Sequence, residues 1–144
     1  KMKKILLLVM AMMLSFSAMC FASDGADLDA EAKIVDQFLS GKDYKKVVGY
    51  MDPEWAKNFS EEQYKNMFAS MDKELGKLVE KDLRVFQMIK DGNILRYAAK
   101  YEKAPLMEMI AVFKNVKGKI TMLQFMVLDP NEGQNKEQEN KPKK

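Results

Sequence analysis

The spacing of apolar residues changes once along this chain, at Gly76, and that change constrains the fold more than any other feature. Before Gly76, apolar side chains recur three and four apart, the period of a helix with one buried face. Ala30, Ile34, Val35 and Phe38 form the first stripe, with Asp27 or Asp29 placed to cap it and Gly41 placed to stop it. Asp43 opens a second short helix, whose Tyr44, Val47, Val48 and Met51 share a face. Asp52-Pro53 interrupts the pattern, and proline suits a first helical position, so Trp55, Ala56 and Phe59 fall on a short separate turn. Ser60 and Gln63 have the spacing of a capping box, in which each side chain satisfies a free backbone N–H of the other. The helix they open carries Tyr64, Met67, Phe68, Met71 and Leu75 on one side and ends at Gly76.

After Gly76 the period is two. Leu83, Val85, Gln87 and Ile89 alternate with Arg84, Phe86 and Met88, and Asp91-Gly92 is a hairpin signal. Leu95, Tyr97, Ala99 and Tyr101 share the next face, opposite Arg96 and Lys100, until Ala104-Pro105 breaks the strand. Met107, Met109, Ala111 and Phe113 then face one way and Leu106, Glu108, Ile110 and Val112 the other. Lys117-Gly118 turns the chain into a last strand, Ile120 to Leu128, apolar on nearly both faces. Three helices followed by four strands on short turns predict an α+β domain over residues 27–128, with helices laid on one face of an antiparallel sheet. A sheet with one wet face should alternate cleanly. The last two strands do not, so the second face is expected to be covered as well, by a second copy in a homodimer or by another protein.

The ends of the chain read differently. Lys1, Lys3 and Lys4 precede an unbroken apolar run from Ile5 to Leu14, and a stretch of small residues leads to Cys20-Phe21-Ala22. That is the layout of a secretory signal peptide over residues 1–22, forming a helix and cleaved between Ala22 and Ser23. Export to an extracytoplasmic place, periplasmic or secreted, is the expectation. Two other readings tie the chain to a membrane: an uncleaved anchor, which Ile5 to Ala22 is barely long enough to provide, and a lipid on Cys20. Removing the leader takes three of the 24 basic residues and leaves 21 against 21 acidic ones, so the basic balance gives no reason to expect nucleic acid. Residues 129–144 hold no apolar side chain except proline and are expected to stay disordered.

Within the domain, some short segments carry a resemblance. They are Phe38-Leu39-Ser40-Gly41-Lys42-Asp43-Tyr44, Ser60-Glu61-Glu62-Gln63-Tyr64, Leu75-Gly76-Lys77, Tyr97-Ala98-Ala99-Lys100-Tyr101 and Val116-Lys117-Gly118-Lys119-Ile120. In order and spacing, Phe38 to Met126 resembles an uncharacterised bacterial family, domain of unknown function 3887, of the nuclear transport factor two-like superfamily. The resemblance implies a curved four-stranded sheet wrapped round the helices, the cystatin-like cone, often with a pocket at the open end. It implies no activity, because a shared fold does not license shared chemistry.

The side-chain inventory narrows the chemistry. His is absent and the one Cys lies in the leader, which removes His-based nucleophile pairs and the usual zinc ligands. Some relatives of the cone fold are isomerases or dehydratases that use a buried carboxylate. Here Tyr97 or Tyr101 would donate a hydrogen bond and Glu108 would act as base, provided the two strands turn them to one face. Met51, Met67, Met71, Met88, Met107, Met109, Met122 and Met126 remain beyond the leader. Thioethers can hold Cu(I), but these residues stand at core spacings, so no metal or other cofactor is expected. Trp55, Tyr97, Tyr101, Met109, Phe113 and Phe125 are the candidate lining of a pocket for a small apolar ligand. The function that follows is a non-enzymatic ligand- or protein-binding module, with a small-molecule enzyme acting in the cone as the alternative.

Overall fold

Gly76 marks the joint between two halves of different structure in the computed structural model, which describes residues 25–131. Helix α1 (residues 25–39) is followed by α2 (Tyr44–Tyr50), α3 (Pro53–Lys57) and α4 (Glu61–Leu75). Strands β1 (Leu78–Ile89), β2 (Gly92–Tyr101), β3 (Met107–Val116) and β4 (Lys119–Leu128) complete the order. They form one antiparallel meander, β1-β2-β3-β4, with the helices on one face. The expected α+β arrangement is therefore present. The leader, its cleavage point at Ala22 and Ser23, and all but the first residues of the polar tail lie outside the described residues.

Local signals set the boundaries. The Ser60–Gln63 box is complete: the Ser60 N–H donates to Gln63 Oε1 at 2.8 Å and the Gln63 N–H to Ser60 Oγ at 3.1 Å. Gly76 ends α4 at φ 75°, where its N–H still donates to the Asp72 carbonyl at 3.0 Å. The turn after β2 then clasps this joint, the Lys103 N–H donating to the Leu75 carbonyl at 2.8 Å. Helix α1 differs from the expectation. It is already helical at Gly25, so Asp27 and Asp29 lie within it and neither caps it.

The core lies between the helices and the inner face of the sheet. Ile34, Val35 and Phe38 of α1 meet Leu95, Tyr97, Ala99 and Tyr101 of β2 and Met109, Ala111 and Phe113 of β3. Phe38 is its centre, with the rings of Phe125, Tyr64, Phe68 and Trp55 at 4.6, 5.6, 5.8 and 6.0 Å. The Tyr64 hydroxyl donates to the Phe38 carbonyl at 2.6 Å and ties α4 to the end of α1. Met51 leaves α2 and bridges Met122, and the Asp52 N–H donates to the Met122 carbonyl at 2.8 Å, which occupies part of the β4 edge. The β1 edge is unpaired among the described residues.

Three irregularities alter the expected faces. A register shift between Leu83 and Val85 sets Leu83 opposite Tyr97 but Val85 opposite Arg96. Leu83 and Phe86 therefore point toward the helices and Val85 away, which breaks the simple alternation expected from Leu83 to Ile89. A second shift, between Val112 and Phe113, pairs Met122 with Phe113 and Met126 with Ile110, so these two methionines point to opposite faces. The first hairpin also turns one residue earlier than Asp91-Gly92 implies. Ile89 pairs with Gly92, so Lys90 and Asp91 make the turn and Asp91 takes φ 60°. Gly92 is needed inside β2, where any side chain would collide with the Phe113 carbonyl oxygen.

Candidate functional site

The residues expected to line a pocket are largely packed against one another. Met109 and Phe113 are fully buried, and Tyr97 and Tyr101 are buried with them on the inner face. Trp55 and Phe125 are partly buried and both pack on Phe38. The Tyr97 and Tyr101 hydroxyls have no hydrogen-bond partner among the described residues. Burial, then Asp36, then Glu31 push the Tyr97 phenol up to about 12, and burial pushes Tyr101 up as well. Both are neutral donors at ordinary pH.

Glu108 does not join them. Ala98 and Glu108 pair on the outer face, while Tyr97 and Met109 pair on the inner one. Glu108 instead accepts from Arg96 Nη1 at 3.0 Å. A Tyr–Glu108 acid–base pair is therefore ruled out by strand parity.

The inner face holds a carboxylate that the sequence reading passed over. Glu31 of α1 is fully buried, and its Oε1 accepts from Asn93 Nδ2 at 2.7 Å. Its Oε2 has no partner among the described residues, nor does the amide nitrogen of Asn115 two positions beyond Phe113. Desolvation raises the Glu31 carboxyl above its ordinary value, the Asn93 amide holds it down, and Asp27 raises it further. The signal was present: positions 31, 34, 35 and 38 make a helical stripe, with an acid in its first place.

Three concavities of ligand size adjoin β3: one of about 360 Å³ at its C-terminal end, lined by Asp52, Pro53, Lys114, Val116, Lys119 and Thr121, and two nearer its start on opposite faces. The inner one, of about 450 Å³, lies between α4 and the sheet, lined by Met67, Met71, Leu75, Met107, Phe125 and Val127, with Glu74 and Asp129 among its polar groups. Of the six expected pocket residues only Phe125 borders it. Tyr101 borders a smaller recess of about 140 Å³ with Leu39, Phe68 and Met71. The outer one, of about 460 Å³, lies on the helix-free face of the sheet. Ala98, Arg96 and Glu108 lie in it, with Val85 of β1 and Pro105 and Leu106 of the β2–β3 turn. Charged groups ring it: Glu80, Asp82 and Arg84 from β1 and Lys100 from β2.

The outer groove is continuous with an apolar stripe. Cross-strand register lines up Val85, Arg96, Ile110 and Met126 in one row and Ile94 with Val112 in the next. Ile110 is only 6% exposed although none of the described helices lies on this face; Arg96 and Met126 flank it across the strands. Leu106, at 71%, Val85, at 45%, and Leu128, at 42%, stand open to solvent. Such a patch, apolar at the centre and charged at the rim, is the surface composition that protein partners use. Among the described residues no group of three or more acidic residues is placed to hold a metal ion. No protein-family profile, curated protein or solved structure matches this chain.

Proposed function

We propose that this chain is an exported, non-enzymatic binding module that takes an apolar segment of a partner protein on the helix-free face of its sheet. The outer groove carries the reading. Its volume, about 460 Å³, falls in the range of specific sites, and exposed Val85 and Leu106 border it. The Arg96–Glu108 pair inside it offers a donor and an acceptor to a partner's backbone. Export is supported by the leader pattern of residues 1–22. The cone-shaped assignment is supported by the order of elements, helices first and then a four-stranded meander.

Selection of displayed short peptides against the full chain tests this. The selected peptides should be rich in apolar residues and should lose binding to Ala98→Arg, which fills the groove floor without touching the core. Failure to enrich any sequence, or equal binding by the variant, contradicts the reading. A second reading rests on the inner cleft, where Met67, Met71 and Met107 give a soft, adaptable lining suited to a small apolar ligand. A ligand held there would protect these thioethers from peroxide. An isomerase-like or dehydratase-like reaction is a further alternative for that cleft, and it needs a carboxylate other than Glu108.

A further inference from the structure

We propose that the free edge of the sheet is a self-pairing surface, at which two copies of this chain join β1 to β1 antiparallel about a two-fold axis at Leu83. The result is one continuous sheet with the helices of both copies on the same side. It goes beyond the outer-face reading, because the contact is along an edge and leaves that face open.

Strand β1 is 12 residues long and, among the described residues, bonds to β2 on one side only. An unpaired edge is a template for another strand unless something blunts it. The opposite edge already receives Met51 and Asp52, so β1 is the freer of the two. Apolar side chains on β1 stand open on both faces: Leu83 at 38%, Val85 at 45%, Met88 at 67% and Ile89 at 39%.

Charge selects the register. An antiparallel pair of identical strands has its two-fold normal to the sheet, so the residue on the axis meets its own copy. An axis at Lys81, Asp82 or Arg84 sets two like charges directly opposite, which destabilises the pair. An axis at Leu83 sets leucine against leucine, Asp82 against the partner's Arg84, and Arg84 against the partner's Asp82. Asp82 and Arg84 both border the outer groove, so they share a face, and their in-chain contact of 3.3 Å leaves both heads well exposed, at 52% and 66%. Lys81, one position further from the axis, adds no free charge. Its Nζ lies 2.7 Å from Asp36 Oδ1 and over the Tyr97 ring. The register shift beside Arg84 confines regular pairing to a short stretch round the axis. With part of the β4 edge occupied, the contact closes as a dimer and does not propagate.

The test uses the full chain with Cys20→Ser, so that an introduced thiol is alone. Leu83→Cys should form a disulfide-linked dimer on mild oxidation, since directly opposed strand residues come within disulfide reach. Leu78→Cys, at the end of the strand, should not. Sedimentation should show dimer mass for the parent chain. Asp82→Arg and Arg84→Asp should each weaken the dimer about tenfold, and the double exchange should restore it to within about threefold, because the opposed pairs are rebuilt with signs reversed. A strictly monomeric parent chain, equal crosslinking at positions 78 and 83, or a double exchange as weak as the single ones overturns the proposal. Asp82 and Arg84 also rim the outer groove, so peptide binding is read on the parent chain and Ala98→Arg, while the parent's mass and the Leu83→Cys crosslink report on the edge alone, and the two readings fail separately.

Discussion

At the scale of single residues, Glu31 departs furthest from what a small core normally contains. A buried carboxylate is costly unless paired. Here one oxygen is bonded to Asn93 and the other is not. Its carboxyl titrates above the ordinary value of 4.5 in the folded chain, chiefly through desolvation. The folded state therefore holds this proton more tightly than the unfolded one. The contribution to stability is fully present below the unfolded value and is lost as pH rises through the folded value. Glu31→Gln should remove that loss, so that in urea denaturation the variant gains on the parent as pH rises through this window and keeps its advantage at neutral pH. Glu31→Ala should instead cost about 1–3 kcal/mol, because the Asn93 amide is left buried without a partner. Tyr64→Phe should cost about 1 kcal/mol, read from the same denaturation curves, by leaving the Phe38 carbonyl only the longer bond from the Gly41 N–H at 3.4 Å. The sequence reading placed Ala30 in the buried stripe where Glu31 also lies, because hydrophobic periodicity has no means to expect an acid in the core.

At the scale of elements, signals with a local cause were legible and those with a tertiary cause were not. The Ser60–Gln63 box and the Gly76 stop depend on neighbouring residues alone, and both are realised. Ser60→Ala should cost about 1 kcal/mol with a loss of helix signal at the α4 end in hydrogen exchange. The register shifts in β1 and β4 arise from pairing between strands distant in sequence, so alternation could not foresee them. They decide which face Val85 and Met126 occupy, and hence that Val85 borders the outer groove and that Met126 joins the apolar row beside it. Gly92 is the instructive case. Its sequence context implied a turn residue, yet it sits in β2 because the Phe113 carbonyl passes too close for any side chain. Gly92→Ala should therefore cost about 3 kcal/mol. Gly118→Ala, with open space around it and φ 81°, should cost only about 1 kcal/mol. A comparison of their unfolding midpoints separates the two causes.

At the scale of the whole molecule, the described helices cover one face of the sheet and none of the described residues covers the other. Imperfect alternation in the last two strands led to the expectation that the second face is covered; the cross-strand rows place Ile94, Ile110, Val112 and Met126 on that face, with Arg96 among them. Tyr97, Met109 and Phe113 fill the core; Met67, Met71 and Leu75 of the inner cleft share the α4 face that helical spacing gives, whereas the strand residues of the outer groove are brought together by the pairing register. The methionines provide the most direct test of where this domain binds. Met126 points outward and is half-buried beside Ile110, Met109 and Met122 are in the core, and Met67 and Met71 line the inner cleft. With methyl-labelled methionine, titration of a selected peptide should shift the Met126 resonance and leave those of Met67, Met71, Met109 and Met122 in place. Shifts confined to Met67 and Met71, with Met126 unmoved, would contradict the outer-face account.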